Sequence, residues 1–446
     1  MKNTDLLNGK IWKAILLFSI PLLIGNLFQQ LYNTVDSYVV GNYISSHALA
    51  AVGQSTSIIN MLVGLFSGLA TGAGVVISQY FGSKQYEEMK EAIHTSLALT
   101  IVLCILFTFI GIMMAHPILV MIGSPKEILP LATTYLQIYF AGVSFMLIYN
   151  MASGILRALG DSKNPLIYLA ISSVVNIILD LIFVLYLNLG VAGVAIATTI
   201  AQFVSSVLVM IQLCTTKQIY KVELKKIKFN SSKLSRIISI GFPAAIQNSI
   251  VSFSNVIVQS YISSFGAAAV AGYSTTMKLD GFLQLPIQSF SMSITTFVGQ
   301  NYGAHRFDRV RKGLYVTLLM CCSIIIFGSI VMYTNAQSLV EIFTHDVDAI
   351  KAGVTMISVF APFYIMLTIC HVTAGALRGV GQSKVPMLTM ILCFVLLRQI
   401  YLYVATHIVH ELVVVFLGWP ITWVINAFIL TIYYYLYSKK LVEMNK

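Results

Sequence analysis

The chain has 446 residues, of which 58% are hydrophobic and 10% charged, with a mean hydropathy of +0.85. Soluble domains are about 45–50% apolar and about 25% charged, so this composition excludes a soluble globular protein and puts most of the mass in a bilayer. The formal net charge of +11 would suit nucleic-acid binding if the basic residues formed one patch. They lie instead in short loops between apolar segments, which excludes that partner.

Apolar runs of helix-spanning length recur at 13–40, 48–80, 92–115, 131–156, 165–187 and 191–214. A second set follows at 237–263, 267–300, 313–334, 352–377, 385–407 and 412–437. They predict an all-α integral membrane protein with twelve transmembrane helices. The first run is long, starts after Lys13 and lacks a small-residue cleavage site, so it reads as a spanning helix rather than a leader. Pro21 removes its backbone bond to Leu17 and predicts a hinge. Gln29, Asn33 and Asp36 follow at i, i+4 and i+7, one polar stripe along this helix that faces a candidate substrate cavity. A carboxylate in hydrocarbon costs several kcal/mol unless it meets a cavity, a partner or an ion, so an intramembrane acid reads as functional by default.

The fifth run carries the second such acid, Asp180, with Asn176 one turn before it on the same face. A helix starting near Pro165 places Asp180 ~22 Å along, and a sixth helix starting near Gly190 places Thr198 ~12 Å from the opposite surface. Asp36 comes late in the first run, so all three share one depth. Two carboxylates at one depth suit a hard cation or a shared proton; the competing reading is two separate acids satisfied by packing. In the eighth run Asp280, Gln284, Gln288 and Ser291 form a stripe that would line a cavity and contact substrate. The alternative there is an ion pair of Asp280 with Arg398 or Lys278. His371 and Asn150 read as hydrogen-bonded packing.

An even number of spans puts both termini on one side. The termini and the loops at 81–91, 157–164, 215–236, 304–312 and 378–384 hold nearly all of the 27 Lys and Arg, whereas the opposite loops hold only Lys126 and Lys351. Basic residues concentrate on the cytoplasmic side, so both termini are expected in the cytoplasm and the protein in the cell membrane. Residues 216–236 then read as a basic cytoplasmic linker and residues 438–446 as a cytoplasmic tail. The six cysteines fall in or beside apolar runs without a CxxC pair, as small packing residues would. The absence of HExxH, GxSxG and Walker motifs argues against an enzyme and against ATP as the energy source.

The chain repeats itself. GILRALGDSKNP at 154–165 returns as GALRGVGQSKVP at 375–386, an offset of 221 residues; Gln79 and Gly82 return as Gln300 and Gly303, and Pro21 and Asn26 as Pro243 and Asn248. Residues 1–215 and 237–437 are therefore two homologous six-helix lobes. Six spans each give both copies the same orientation, related by an axis along the membrane normal with a central cavity between them. Alternating access by rocking lobes is the natural mechanism, and a channel of two pseudo-symmetric halves is its competitor. The offset maps Asp36 to Val258 or Ile257 and Asp180 to Tyr401, so the acid pair exists in the first lobe only.

These features together resemble the multidrug and toxic compound extrusion (MATE) family. The resemblance rests on the double repeat, the prolines of helices one and seven, TVDSYVVGNYISSHALAAVG, ITTFVGQNYGA and LRALGDSKNP, and it covers essentially the whole chain. It implies a cation site for H+ or Na+ at Asp36, Asn176, Asp180 and Thr198, and export of cationic, often aromatic compounds in exchange for that ion, without a cofactor. One branch of the family adds acids to helices seven and ten; Gln247, Asn248 and His371 stand there instead, which resembles the branch relying on first-lobe carboxylates. The expected partners are a cationic small molecule and membrane lipid, and the expected state a monomer. A flippase for a lipid-linked or amphipathic metabolite is the alternative, with Lys278 and Arg398 as the candidate phosphate contacts.

Overall fold

The computed structural model describes residues 4–443. Its first set of helices is α1 (Ile11–Tyr43), α2 (Ser46–Gly82), α3 (Tyr86–Met121), α4 (Leu129–Ala158), α5 (Lys163–Leu181) and α6 (Gly190–Thr215). The second set is α7 (Ser231–Ser263), α8 (Ala267–Gly303), α9 (Phe307–Thr334) with the short α10 (Ala336–Glu341), and α11 (Val347–Phe360) running into α12 (Tyr364–Gly379). It closes with α13 (Lys384–Met390), α14 (Arg398–Ile408) and α15 (Leu412–Glu443). Among the described residues, 11 spans are long and apolar enough to cross a membrane. The predicted span at 267–300 is not one of them, because Lys278, Asp280 and three glutamines lower its hydropathy. The helix there, α8, is nonetheless 37 residues long, as is its repeat counterpart α2.

The repeated Gly-Ser-Lys-Pro motif has a local physical cause in both copies. Gly160 (φ 87°) and Gly381 (φ 89°) end their helices in the left-handed region. The amides of Gly160 and Asp161 bond back to Arg157 O and Leu156 O, and those of Gly381 and Gln382 to Arg378 O and Leu377 O, the two-bond closure that glycine permits. Pro165 and Pro386 then lie in the first turns of α5 and α13, where no amide is needed. Both succeeding spans carry a π-helical segment, Ile182–Tyr186 after α5 and Ile391–Leu397 between α13 and α14.

The chain divides into two compact units, Met1–Thr4 with Ile20–Phe242 and Asp5–Ser19 with Pro243–Lys446. This differs from the division at 215 and 237 read from the internal repeat. Residues 5–19 belong to the second unit: Leu6, Ile15 and Phe18 are buried, Asn301 donates to Leu6 O (3.1 Å), and Arg306 and Arg309 donate to Leu7 O (2.6 Å) and Gly9 O (3.1 Å). Asp5 shapes this segment by accepting from the amides of Leu7 and Asn8. Burial acts to raise its carboxyl pKa, but those bonds and the Arg309 charge hold it below the usual range.

The basic segment is likewise not a free linker. Residues 231–236 are the first turns of α7, capped by Asn230 Oδ1, which accepts from the amides of Ser232 (3.1 Å) and Lys233 (3.2 Å). Before it, Tyr220 and Val222 are buried in the core of the first unit, Val222 N donates to Leu213 O (2.9 Å), and Asn230 donates to Glu91 (2.8 Å). Lys233 is buried against Glu88 and the Tyr80 hydroxyl, while Lys226 pairs with Glu223 in solvent. An exposed pair is worth little, and removing one partner of a shielded pair strands the other. Lys233→Ala is therefore expected to lower the melting temperature of detergent-purified protein by several degrees and Lys226→Ala to leave it unchanged; equal shifts would contradict the tie.

Within each unit small residues let helices approach, as they do where lipid supplies no hydrophobic drive. In the first unit α4 packs on α2, α3 and α6; in the second α12 packs on α8, α9 and α15. The repeat-equivalent glycines differ in tightness. A Cβ at Gly375 would meet Ser291 O at 2.6 Å and Ile294 Cγ2 at 2.9 Å, whereas at Gly154 the nearest atom is Ala70 O at 3.3 Å. Overpacking costs about 1–3 kcal/mol. Gly375→Ala is thus expected to destabilise the protein more than Gly154→Ala in a thermal melt.

Candidate functional site

Asp36 sits on α1 in the first unit, 6% exposed, and Asp180 lies in the last turn of α5 with no exposure at all. The two carboxyl groups lie within hydrogen-bonding reach of each other, and Asp36 also reaches Thr198. Asn176, one turn before Asp180, is 2% exposed, and Thr198 on α6 is 6% exposed. The Thr198 hydroxyl donates to Val194 O (3.0 Å), which leaves its oxygen lone pairs free to accept or to coordinate. The π-helical segment starts directly after Leu181; such bulges commonly accompany functional sites, and here it follows Asp180 by two residues.

The polar atoms of this cluster are incompletely paired. Asp36 Oδ1, both oxygens of Asp180 and both amide atoms of Asn176 are buried without a hydrogen-bond partner. Among the described residues no Lys, Arg or His forms an ion pair with either acid. Buried polar groups are almost always satisfied, and two acids in contact away from water need a positive charge between them. The donors are oxygens only, a set that suits a proton or a hard cation and not a soft transition metal. Among the described residues no group of three or more His, Cys, Asp or Glu side chains is arranged to hold a metal ion.

Two adjoining cavities of about 60 and 80 Å³ border the cluster. Gln29, Tyr32, Thr198 and Gln202 line both; Asn176 lines the first, and Asn33 and Asp36 the second. The predicted stripe of α1 therefore faces this cavity. Tyr135, Tyr139 and Met146 of α4 also line it and were not singled out by sequence. Tyr32 and Gln202 lie one turn from Asp36 and Thr198, and that spacing could have found them. The α4 residues share a helical stripe, but nothing in an apolar stripe says which side of a membrane helix faces a cavity.

In the second unit Asp280 is buried and accepts from the Tyr364 hydroxyl (2.6 Å) and from Gln284. Among the described residues it forms no ion pair with Arg398 or Lys278, against the pairing considered from sequence; the Lys278 ammonium lies over the Phe343 ring, 5.3 Å from its centroid. Asp280, Gln284 and His371 line a separate cavity. Gln288 does not: it is exposed, since eight residues turn a helix about 80° away from the starting face. Pro21 stands two residues after the point at which α1 passes from the second unit to the first.

The MatE family profile matches residues 21–182 and again residues 243–404, the internal repeat in the same register. The "Probable multidrug resistance protein YpnP" of Bacillus subtilis is 28% identical over 398 residues, covering 89% of each chain. The "Multidrug export protein MepA" of Staphylococcus aureus is 25% identical over 374 residues, 84% of this chain and 83% of its own. Among solved structures, a MOP superfamily transporter from Pyrococcus furiosus superposes with a TM-score of 0.93 at 22% identity, covering 99% of both chains. A MATE protein in a bent conformation gives a TM-score of 0.94 at 22% identity. At that identity the structural likeness speaks for the fold.

Proposed function

Because the chain belongs to the MatE family of multi-pass membrane transporters, matched by both of its halves, we propose that it exports cationic or amphipathic organic compounds from the cell in exchange for H+ or Na+. The observation that carries this reading is the buried Asp36–Asp180 contact with its unpartnered oxygens. Either ion would supply the missing positive charge, and Asn176 and Thr198 would complete an oxygen shell. Ion and cargo are coupled if the site must be neutralised before it can change the side it faces. Pro21 gives α1 a point at which to bend when Asp36 is neutralised.

Relatives named for multidrug resistance and multidrug export support a drug-like cargo. The tyrosines and Met146 beside Asp36 support a flat or cationic one, which aromatic faces and thioethers accept with little demand on shape. Family membership does not favour the flippase alternative, and it makes the protein a transporter rather than an enzyme. The positive-inside distribution of Lys and Arg supports a cell-membrane protein with both termini in the cytoplasm, working as a monomer among lipids without a cofactor. The test is efflux of a cationic dye from proteoliposomes under a pH gradient or a sodium gradient imposed separately. Dye movement that neither gradient accelerates would overturn ion-coupled export.

A further inference from the structure

The second unit has its own cavity of about 80 Å³, and its chemistry is not that of the first. Its wall carries Arg398, 1% exposed at the start of α14 directly after the π-helical segment Ile391–Leu397, together with Asp280. The repeat offset of 221–222 places the equivalent first-unit position at Asn176 or Ile177, within the acid cluster. One copy of the fold thus carries acids around this depth, and the other a guanidinium.

Arg398 is held but not saturated. Nη1 donates to Asn255 Oδ1 (3.3 Å) and Nη2 to Thr422 Oγ1 (3.1 Å). The guanidinium carbon lies 5.2 Å from the ring centroids of both Phe394 and Trp419. Nε is buried without a partner, and among the described residues no carboxylate forms an ion pair with this side chain. A guanidinium has five N–H donors in a planar fork, and leaving a buried charge unpaired is costly. Asp280 on the same cavity takes its hydrogen bonds from Tyr364 and Gln284 rather than from Arg398. Trp419, Trp423 and Phe360 also line it as a contiguous aromatic cluster, with Phe360 5.3 Å from Trp419 and 5.2 Å from Trp423 between centroids.

We propose that this cavity is a binding site for aromatic carboxylates, with the Arg398 fork receiving the anionic group and Trp419 and Trp423 stacking on the ring. The fork geometry matches a carboxylate bidentately, and the rings that flank it accept a flat ligand. The assignment goes beyond ion-coupled export and does not depend on it, since it concerns binding to one unit in the absence of any gradient.

The chain has three tryptophans, and Trp419 and Trp423 line the cavity, so fluorescence quenching reports on it directly once Trp12 is replaced by Phe. In detergent-purified full-length protein, 4-nitrobenzoate is expected to quench with an affinity on the order of tenfold or more above its uncharged isostere 4-nitrobenzamide. It should also exceed the cationic 4-nitrobenzylamine. Arg398→Gln should remove the preference for the carboxylate while leaving the weak binding of the amide. The proposal is overturned if Trp12→Phe protein binds the three probes alike, binds the amine best, or binds none of them at millimolar concentration. It is also overturned if folded Arg398→Gln protein keeps the preference. Should Arg398→Gln fail to fold, the order of the three probes on the arginine-containing protein still decides.

Discussion

Asp36→Asn is expected to reduce gradient-driven export to the level of empty vesicles while leaving the protein folded. The carboxamide has the size of the acid, and its amide nitrogen can donate to the Thr198 oxygen, whose own hydrogen goes to Val194 O. What it lacks is a charge to share with Asp180 and a proton to exchange. The fold should tolerate the change, because Asp36 Oδ1 has no partner to lose, and an uncharged group is easier to keep out of water than an ionised one. Proteoliposomes carrying the variant, checked for folding by circular dichroism and gel filtration, provide the measurement. Export at the wild-type rate would remove Asp36 from the coupling step. Loss of export together with loss of folding would call for Asp36→Glu, which keeps the charge and is expected to retain partial transport.

Much of this architecture was legible because membrane constraints write themselves into composition. Each span must satisfy its own backbone, so the helices appear as apolar runs, and the duplicated LRALGDSKNP motif exposes the repeat. Asp36 and Asp180 stood out for the same reason: charge in hydrocarbon is conspicuous. What hydropathy could not show is tertiary membership. Residues 5–19 join the second unit through backbone carbonyls of Leu6, Leu7 and Gly9, and a carbonyl leaves no trace in the sequence. The start of α7 was missed because Lys233 and Arg236 lower the local hydropathy, although Asn230 before two serines is a readable cap. The aromatic lining from α4 was hidden because Tyr135 and Tyr139 are equally at home against lipid. Arg398 was visible as a charge within a span, but that Asp280 takes its hydrogen bonds from Tyr364 and Gln284 instead is something only packing decides.

The Asp36–Asp180 contact also predicts that sodium and protons compete. Two carboxyl groups in contact and shielded from water hold together only with a positive charge between them, and a proton and a sodium ion are alternative ways to supply it. Detergent-purified protein equilibrated without sodium is therefore expected to release protons into weakly buffered solution when sodium chloride is added, and potassium chloride should release fewer. Asp180→Asn should abolish the release, since one acid and an amide no longer need the shared charge, and Asp36→Asn should do the same. Asp280→Asn should leave it intact, because Asp280 has its own neutral donors in Tyr364 and Gln284. Release that persists in both first-unit variants would place the exchanging proton elsewhere in the molecule. A wild-type protein that releases nothing, yet exports dye under a pH gradient, would be a proton antiporter in which Asn176 and Thr198 serve the acids as hydrogen-bonding partners rather than as ligands to a metal cation.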